Sequence, residues 1–429
     1  MKKICQILYY FWVSPGIVIG AHILALFIAK VRKGLFARYT TIKRLNNWFA
    51  ENRPATTSCV LFHAASLGEF EHIRPVLQAL HEKYKTTNIV TFFSPSGYDN
   101  VANTKGLDFH FYLPFDQPYN WKKIYKIINP SLIIIAKHDV WPAQIWTANQ
   151  QGIPIYLINA SLSAKSSRTG WGVKSFLKHV YRDFTGICAI SDDDARRFSA
   201  HYPKCHVEMV GDTKYDQVVL RRDAAKEQNL LPANWTEGKW IFIAGSIWPE
   251  DEEHVLPALK KTIAEYDSVR LVLVPHQPDL KAISRLEEAF GKWGTQLFSQ
   301  RDNLSEERVL IVDAVGYLAG LYHHAHAAYV GGSFHQGIHN AMEPAVFGIP
   351  VFFGPVYENS YEAIQLTKDN GGTTICNSGE LFQKVQSLVE NESLRIEQGK
   401  KAEKYATRNV GATDLLLSRW ESLLILKNN

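Results

Sequence analysis

After an apolar N-terminal stretch, the chain alternates short apolar runs with longer segments whose apolar positions recur every three or four residues. The runs fall at 59–62, 89–93, 132–136, 155–158, 186–190 and 207–210, with helix-like spacing at 71–84 and 174–181. Continuous apolar runs, rather than alternating ones, mark strands buried on both faces. This order therefore predicts a parallel sheet covered by helices. A second series repeats the pattern at 240–244, 271–274, 309–312, 328–330, 351–353 and 374–376. Its helices are expected at 252–265, 280–290 and 341–347, with helical spacing continuing from 380 to 426. Between the two series, 216–239 is charged, contains Pro232 and Gly238, and lacks an apolar run, which reads as a linker. The expected fold is α/β with two Rossmann-like domains facing a cleft. The N-terminal domain is expected at 31–216, the linker at 217–238 and the C-terminal domain at 239–429.

Residues 4–29 contain no Asp, Glu, Lys or Arg. Such a stretch is long enough for a bilayer core, which needs about 20 residues. Pro15-Gly16 and His22 interrupt it, so a spanning helix and an interfacial one both fit. Lys30, Arg32, Lys33, Arg38, Lys43 and Arg44 follow it, against Lys2 and Lys3 before it. That asymmetry places the body of the protein on the cytoplasmic side of a membrane, with 1–30 as its anchor. The basic stretch is interleaved with Leu35, Phe36, Tyr39, Trp48 and Phe49, and fits either anionic headgroups or a solvated flank.

Composition is that of an ordinary globular protein, with 46% hydrophobic and 21% charged residues among 429. The formal charge, 47 − 42 = +5, does not by itself call for nucleic acid. Five scattered cysteines form no C-x-x-C pair, which argues against a zinc site or disulfide framework. No G-x-G-x-x-G follows a strand and no P-loop motif occurs. His323-His324-Ala325-His326 reads as the polar end of a helix before a strand. His335 and His339 straddle a glycine, so helical metal geometry does not apply to them. Asp192-Asp193-Asp194 follows Ser191 and reads as a helix start rather than a metal site.

Chemistry concentrates at Gly331-Gly332-Ser333-Phe334-His335-Gln336-Gly337-Ile338-His339-Asn340-Ala341-Met342-Glu343-Pro344. An apolar run leads into this Gly-rich turn and a short helix follows, an arrangement that presents backbone N–H groups to a phosphate. Glu343 in the first helical turn can accept from a ribose. Asn340-x-x-Glu343 fits a broadened capping box as well. Three further segments accompany it: His63-Ala64-Ala65-Ser66-Leu67-Gly68-Glu69, Gly211-Asp212-Thr213-Lys214-Tyr215-Asp216, and Ala244-Gly245-Ser246-Ile247-Trp248-Pro249-Glu250-Asp251-Glu252.

Together, in this order and spacing, the four segments resemble the transferases of 3-deoxy-D-manno-oct-2-ulosonic acid (Kdo) of Gram-negative bacteria. The resemblance runs from the N-terminal anchor to about residue 410. It implies a metal-independent, inverting glycosyltransferase of the GT-B fold with no cofactor. Such an enzyme transfers Kdo from CMP-Kdo to the lipid A precursor at the cytoplasmic face of the inner membrane, without nucleic acid. Glu69 would be the general base that takes the acceptor hydroxyl proton as the new bond forms. Ser66-x-x-Glu69 is also a capping-box pattern. Donor contacts would come from Ser246, Pro275, His276, Val315, Gly316, Tyr317, Asn340, Ala341, Met342 and Glu343. A helix N-terminus near 338–341 would supply positive charge to the phosphate. Ser66, Gly68, Asp139 and Lys214 would support the acceptor or the transition state.

The chain departs from the family pattern at three places. Asp139, in Lys137-His138-Asp139-Val140-Trp141-Pro142, replaces a Glu and shortens the carboxylate's reach. Ser161 stands where the family carries Arg, leaving Lys165, Arg168 or Lys214 to pair with the Kdo carboxylate. His276 follows Pro275 where many members have Arg. The rival expectations are a GT-B enzyme using another nucleotide sugar, or a non-catalytic membrane-bound protein that kept the fold.

Overall fold

The computed structural model describes residues 1–52 and 58–425. The chain forms two compact units, Met1–Gln217 together with Val410–Asn429, and Val218–Asn409. In the first unit the strands are β1 (Cys59–Ala64), β2 (Thr87–Phe92), β3 (Phe109–Tyr112), β4 (Leu132–Ala136), β5 (Ile155–Ala160), β6 (Gly186–Ala189) and β7 (Val207–Met209). They form one sheet in the order β3-β2-β1-β4-β5-β6-β7, parallel throughout. In the second unit β8 (Trp240–Ile247), β9 (Val269–Pro275), β10 (Thr295–Leu297), β11 (Val309–Ile311), β12 (Ala327–Val330), β13 (Val351–Phe353) and β14 (Gly372–Thr374) pair as β10-β11-β9-β8-β12-β13-β14. This sheet is parallel as well. Two α/β units with parallel sheets match the fold expected from the apolar runs.

Two strands escaped the hydrophobic pattern. Both β3 and β10 are edge strands with part-exposed residues, so neither needs a continuous apolar run. The domain limits also differ from expectation. The 217–238 stretch is not an extended linker, because the helix Lys214–Lys226 covers its first half and Ala233–Thr236 forms another turn. The C-terminal domain does not run to the end of the chain. The helix Ala412–Ile425 returns to the first unit, where Leu416, Leu417, Trp420 and Leu424 join the core beneath β1, β2 and β4. Asp216 fixes its start by accepting from the Gly411 N–H at 2.6 Å, the Thr413 N–H at 2.8 Å and the Thr413 hydroxyl at 2.7 Å. The helix is amphipathic, and its apolar face needs the cover that the first sheet provides.

The N-terminal segment is one continuous helix, Lys2–Phe27, long and apolar enough to cross a membrane. A π-helical turn at Tyr9–Val13 precedes Pro15, and the widened turn accommodates the missing N–H. The helix is not a detached anchor. Lys2 pairs with Asp183 at 2.5 Å, Ser14 Oγ donates to the Asp116 carbonyl at 2.9 Å, and His22 stacks on Phe115. Positions 2, 9, 14, 18, 21, 22 and 25 share one helical face, turned to the first unit. The opposite face leaves Ile4, Phe11, Ile19, Leu26 and Phe27 exposed.

Asp116 is the joint of this arrangement. It is buried, and its carboxylate accepts from Tyr9 Oη (2.7 Å), Trp121 Nε1 (2.7 Å), and the N–H groups of Ala143 (2.9 Å) and Gln144 (3.0 Å). Burial pushes the carboxyl above its ordinary range while the four donors draw it back. One side chain thus caps the helix Pro142–Gln150 and holds the N-terminal helix. Asp116→Ala would strand all four donors and is expected to cost at least about 3 kcal/mol. The first unit's melting temperature should fall by about 6 °C or more, whereas an unchanged value would show that Asp116 is not the joint.

Candidate active site

A doubly wound parallel sheet leaves an opening where successive crossovers depart in opposite directions, outside the carboxyl ends of two neighbouring strands. In the first unit this point lies between β1 and β4. The loops that leave it are the His63–Glu69 turn and the 137–141 loop. Ser66 is the N-cap of the helix Leu67–Tyr84, and Glu69 lies in the helix's first turn. The capping box read from the sequence is formed: the Ser66 N–H donates to Glu69 Oε2 at 3.1 Å. Oε1 accepts no hydrogen bond among the described residues. Glu69 is 8% exposed, and a Cβ built on Gly68 would meet only Ser66 Oγ, at 3.9 Å, so space is open beside the carboxylate's helix turn.

Asp139, the shortened carboxylate, reaches back to β1. His63 Nε2 donates to Asp139 Oδ2 at 2.9 Å, since a carboxylate can only accept, and Nδ1 contacts Thr91 Oγ1 at 2.8 Å. Trp141 Nε1 also donates to Asp139, at 3.2 Å. Burial raises the Asp139 carboxyl, but the His63 and Trp141 bonds outweigh it and hold the carboxyl below its ordinary value.

One helical turn after Glu69, His72 Nδ1 contacts Asp212 Oδ1 at 3.0 Å, and Lys214 Nζ lies 3.4 Å from Oδ2. The Gly211–Asp216 segment is therefore built into the first unit's frame, with Asn159 Nδ2 donating to Thr213 Oγ1 at 2.7 Å. Lys214 faces Asp212. Of the other two cations considered for a sugar carboxylate, Lys165 is exposed. Arg168 donates to the Ser161 carbonyl at 2.5 Å, to Ser166 Oγ at 3.2 Å and to Tyr181 Oη at 3.3 Å. Its guanidinium thus lies against the backbone of the position where the family pattern has Arg.

In the second unit the winding reverses between β8 and β12. Ser246 sits at a break in the β8–β9 register with φ +53, a left-handed conformation uncommon for a residue with a side chain. Gly331, at the end of β12, packs so closely that a Cβ there would lie 2.1 Å from the Ser246 carbonyl oxygen. Only glycine permits this approach. Asp251, read from the sequence only as part of an acidic turn, locks the two strand ends together. Its carboxylate accepts from the Trp248 N–H (2.8 Å), the Gly332 N–H (2.7 Å) and Tyr329 Oη (2.7 Å). Burial pushes it above the ordinary carboxylate range.

Pro275 ends β9 and His276 follows it. The Trp248 indole N–H donates to His339 Nε2 at 2.8 Å, with the two rings nearly coplanar at 6°. His276 stacks on both, 4.1 Å from Trp248 and 4.6 Å from His339 between centroids. The indole is only a donor, so the His339 proton resides on Nδ1. Burial lowers the pKa of both histidines, and His276 depresses His339 further while Asp251 partly opposes it. The result is a neutral aromatic plate where an Arg would have supplied charge. Val315, Gly316 and Tyr317 form an exposed loop beyond β11, with Gly316 at φ +94.

The Asn340–Glu343 region differs from expectation. The helix is a single turn, Met342–Ala345, so its macrodipole is small. Asn340 is exposed and its Oδ1 accepts from the Met342 N–H at 3.1 Å. Ala341 and Met342 are buried, which leaves only their backbones for a ligand. Glu343 Oε1 accepts from Asn340 Nδ2 at 3.2 Å and from Arg221 at 2.9 Å. Arg221 was missed because it lay in the supposed linker. The other bland readings stand: Ser191 caps a helix at Asp194, and His326 Nδ1 accepts from the Ile241 N–H at 3.1 Å.

Comparison with known proteins agrees with this architecture. A family model described as 3-deoxy-D-manno-octulosonic-acid transferase (kdotransferase) matches residues 33–217. The 3-deoxy-D-manno-octulosonic acid transferase of Haemophilus influenzae is 28% identical over 367 residues, covering 83% of this chain and 85% of the relative. That of Aquifex aeolicus is 29% identical over 342 residues, covering 78% and 88%. Among solved structures, UDP-GlcNAc 2-epimerase from Neisseria meningitidis bound to UDP-GlcNAc aligns over 85% of this chain and 100% of its own, with a TM-score of 0.60 at 13% identity. That likeness concerns the fold alone. Two Rossmann-like units of this kind define a GT-B protein, and the chain is a glycosyltransferase. Over residues 33–217 it matches the Kdo transferase family model, and the two transferases named above are similar to it over most of its length.

Burial raises the Asp212 carboxyl, but His72 and Lys214 outweigh it and hold it at about 2, against about 3.9 in an unfolded chain. The sign follows from linkage: this stabilisation is complete above about pH 4 and is lost as the pH falls toward 2. Asp212→Asn should cost about 2 kcal/mol at pH 7 and almost nothing at pH 2. Unfolding midpoints of both proteins across that range check it, and an equal loss at both ends would contradict it.

Proposed function

We propose that the enzyme transfers Kdo from CMP-Kdo to the lipid A precursor, lipid IVA, in lipopolysaccharide biosynthesis. Transfer would invert the anomeric carbon and use neither metal nor cofactor. The observation that carries this reading is Glu69 at the opening of the first sheet, with one carboxylate oxygen held by its own helix cap and the other without a partner among the described residues. Oε1 takes the acceptor hydroxyl proton while that oxygen bonds the anomeric carbon. The bond from this carbon to the CMP phosphate breaks, and CMP leaves with both electrons. Holding Oε2 on the Ser66 N–H fixes the direction of Oε1, which lowers the cost of reaching the reactive geometry.

The second unit would hold the donor. Its β8–β12 opening offers the Ser246 turn and the Gly-rich 331–337 loop to a phosphate, and the exposed 315–317 loop to a base. The plate of Trp248, His276 and His339 adds aromatic surface rather than charge. Asn340 and Glu343 would contact phosphate and ribose, with Arg221 orienting the Glu343 carboxylate. The membrane reading is an interfacial one at the cytoplasmic face of the inner membrane. A spanning helix could not keep contacts to the water-soluble unit at Lys2, Tyr9, Ser14 and His22 along its length. Its exposed apolar face would enter the bilayer.

Glu69 serves a helix cap as well as the proposed chemistry, and one substitution separates them. Gln fits the capping box as Glu does but cannot take a proton. Glu69→Gln is expected to keep the melting temperature within about 2 °C, from a cap change worth under about 1 kcal/mol, and to lower kcat by about 100-fold or more. Retained turnover of CMP-Kdo would reduce Glu69 to a structural residue. Transfer should also proceed undiminished in excess EDTA, and abolished activity that zinc or magnesium restores would bring back a metal-dependent mechanism.

A further inference from the structure

The first unit contains a cavity that none of the assigned chemistry uses. It measures ≈ 220 Å³ and lies between the N-terminal helix and the body of the unit. Ile17, Val18 and Ala21 form one wall, and Leu35, Phe93 and Trp141 stand opposite. Lys30 and Arg38 also line it, and neither has a carboxylate partner among the described residues. Arg38 spends its bonds on the carbonyls of Gly34 (2.7 Å) and Phe93 (2.8 Å), and lies 4.9 Å from the Phe93 ring centroid. Its charge is therefore uncompensated while its position is fixed. Phe93, at 45% exposure, is an open aromatic surface stacked on Trp141.

Two hydrogen-bonded routes join this cavity to the turn that carries Glu69. Ser94, in the cavity wall, donates its N–H to the Ala65 carbonyl at 2.7 Å. Trp141, also in the wall, donates to Asp139, which in turn accepts from His63. The cavity is thus apolar, cationic along one side, continuous with the bilayer-facing helix, and braced against the reactive turn. A bulk membrane lipid would match the first three properties but has no reason to match the fourth.

We propose that this cavity binds an acyl chain of the acidic glycolipid acceptor, with Lys30 and Arg38 facing its phosphate, and so sets how the sugar hydroxyl meets Glu69. Anionic headgroup and apolar chain are recognised together, and removal of either weakens binding. The N-terminal helix is then part of the acceptor site as well as a membrane attachment. This proposal rests on the acceptor being a lipid A precursor, and the two are separable by experiment.

The full-length protein in detergent micelles is given a lipid A precursor carrying a photoreactive diazirine on one acyl chain. Covalent adducts are expected at Val18, Ala21 or Phe93, displaced by unlabelled precursor and not by phosphatidylglycerol. In parallel, Ala21→Phe and Val18→Trp, which fill the cavity from the helix, should lower the ratio of kcat/KM for acylated over de-acylated acceptor at least tenfold. Adducts confined to the outer face of the helix, or equal displacement by phosphatidylglycerol, would overturn the proposal. So would an unchanged ratio in both variants, with melting temperatures showing them folded. Specific adducts without Kdo transfer would leave the cavity as a lipid site and overturn the transferase reading instead.

Discussion

Parallel strands cannot be joined by a tight turn, and this constraint governs both halves of the molecule. Each connection must cross the sheet, so each sheet winds outward from a central pair and leaves one opening where the direction reverses. In the first unit the opening falls between β1 and β4, in the second between β8 and β12. The candidate site residues gather at these two places. Glu69, His63 and Asp139 belong to the first, and Ser246, Gly331 and Asp251 to the second.

Loops beyond the strand ends have no ladder to hold them, and buried carboxylates take that role. Asp116 accepts four hydrogen bonds, Asp216 and Asp251 three each. Most of these donors are backbone N–H groups at helix starts or glycine turns, the groups that lack partners within their own element. A buried carboxylate is costly unless its lone pairs are filled, so each Asp both needs and enforces its loop geometry. The apolar N-terminal helix is held by the same means, through Tyr9 on Asp116. The apolar helix and the frame of the first unit therefore share one side chain.

The sheets were legible because strands buried on both faces leave continuous apolar runs, as Leu132-Ile133-Ile134-Ile135-Ala136 does. The edge strands were not, since Phe109–Tyr112 and Thr295–Leu297 are part-exposed and carry polar residues. Glu69 and Ser246 were legible through the family resemblance, and Asn340 also through the glycine-rich turn that precedes it. Their partners were harder, because Asp251 reaches Gly332 and Asp216 reaches Thr413 across long sequence separations that no local pattern records. Asp251 carried a faint signal, standing three residues after a Trp at a helix start. The return of 412–425 to the first unit left none, since an amphipathic helix does not announce which sheet it covers. The helix at Met342 shows the opposite error, since 341–347 reads as helical but only the single turn Met342–Ala345 forms.

The central claim is a reaction, and its product is the most direct witness. Purified full-length protein is incubated with lipid A precursor and CMP-Kdo generated in situ, and the lipid product is analysed by mass and by the anomeric configuration of the new linkage. The account predicts a lipid heavier by whole Kdo residues, joined with inversion relative to the donor. An unchanged lipid together with turnover of a UDP-hexose, or a Kdo linkage of retained configuration, would contradict it.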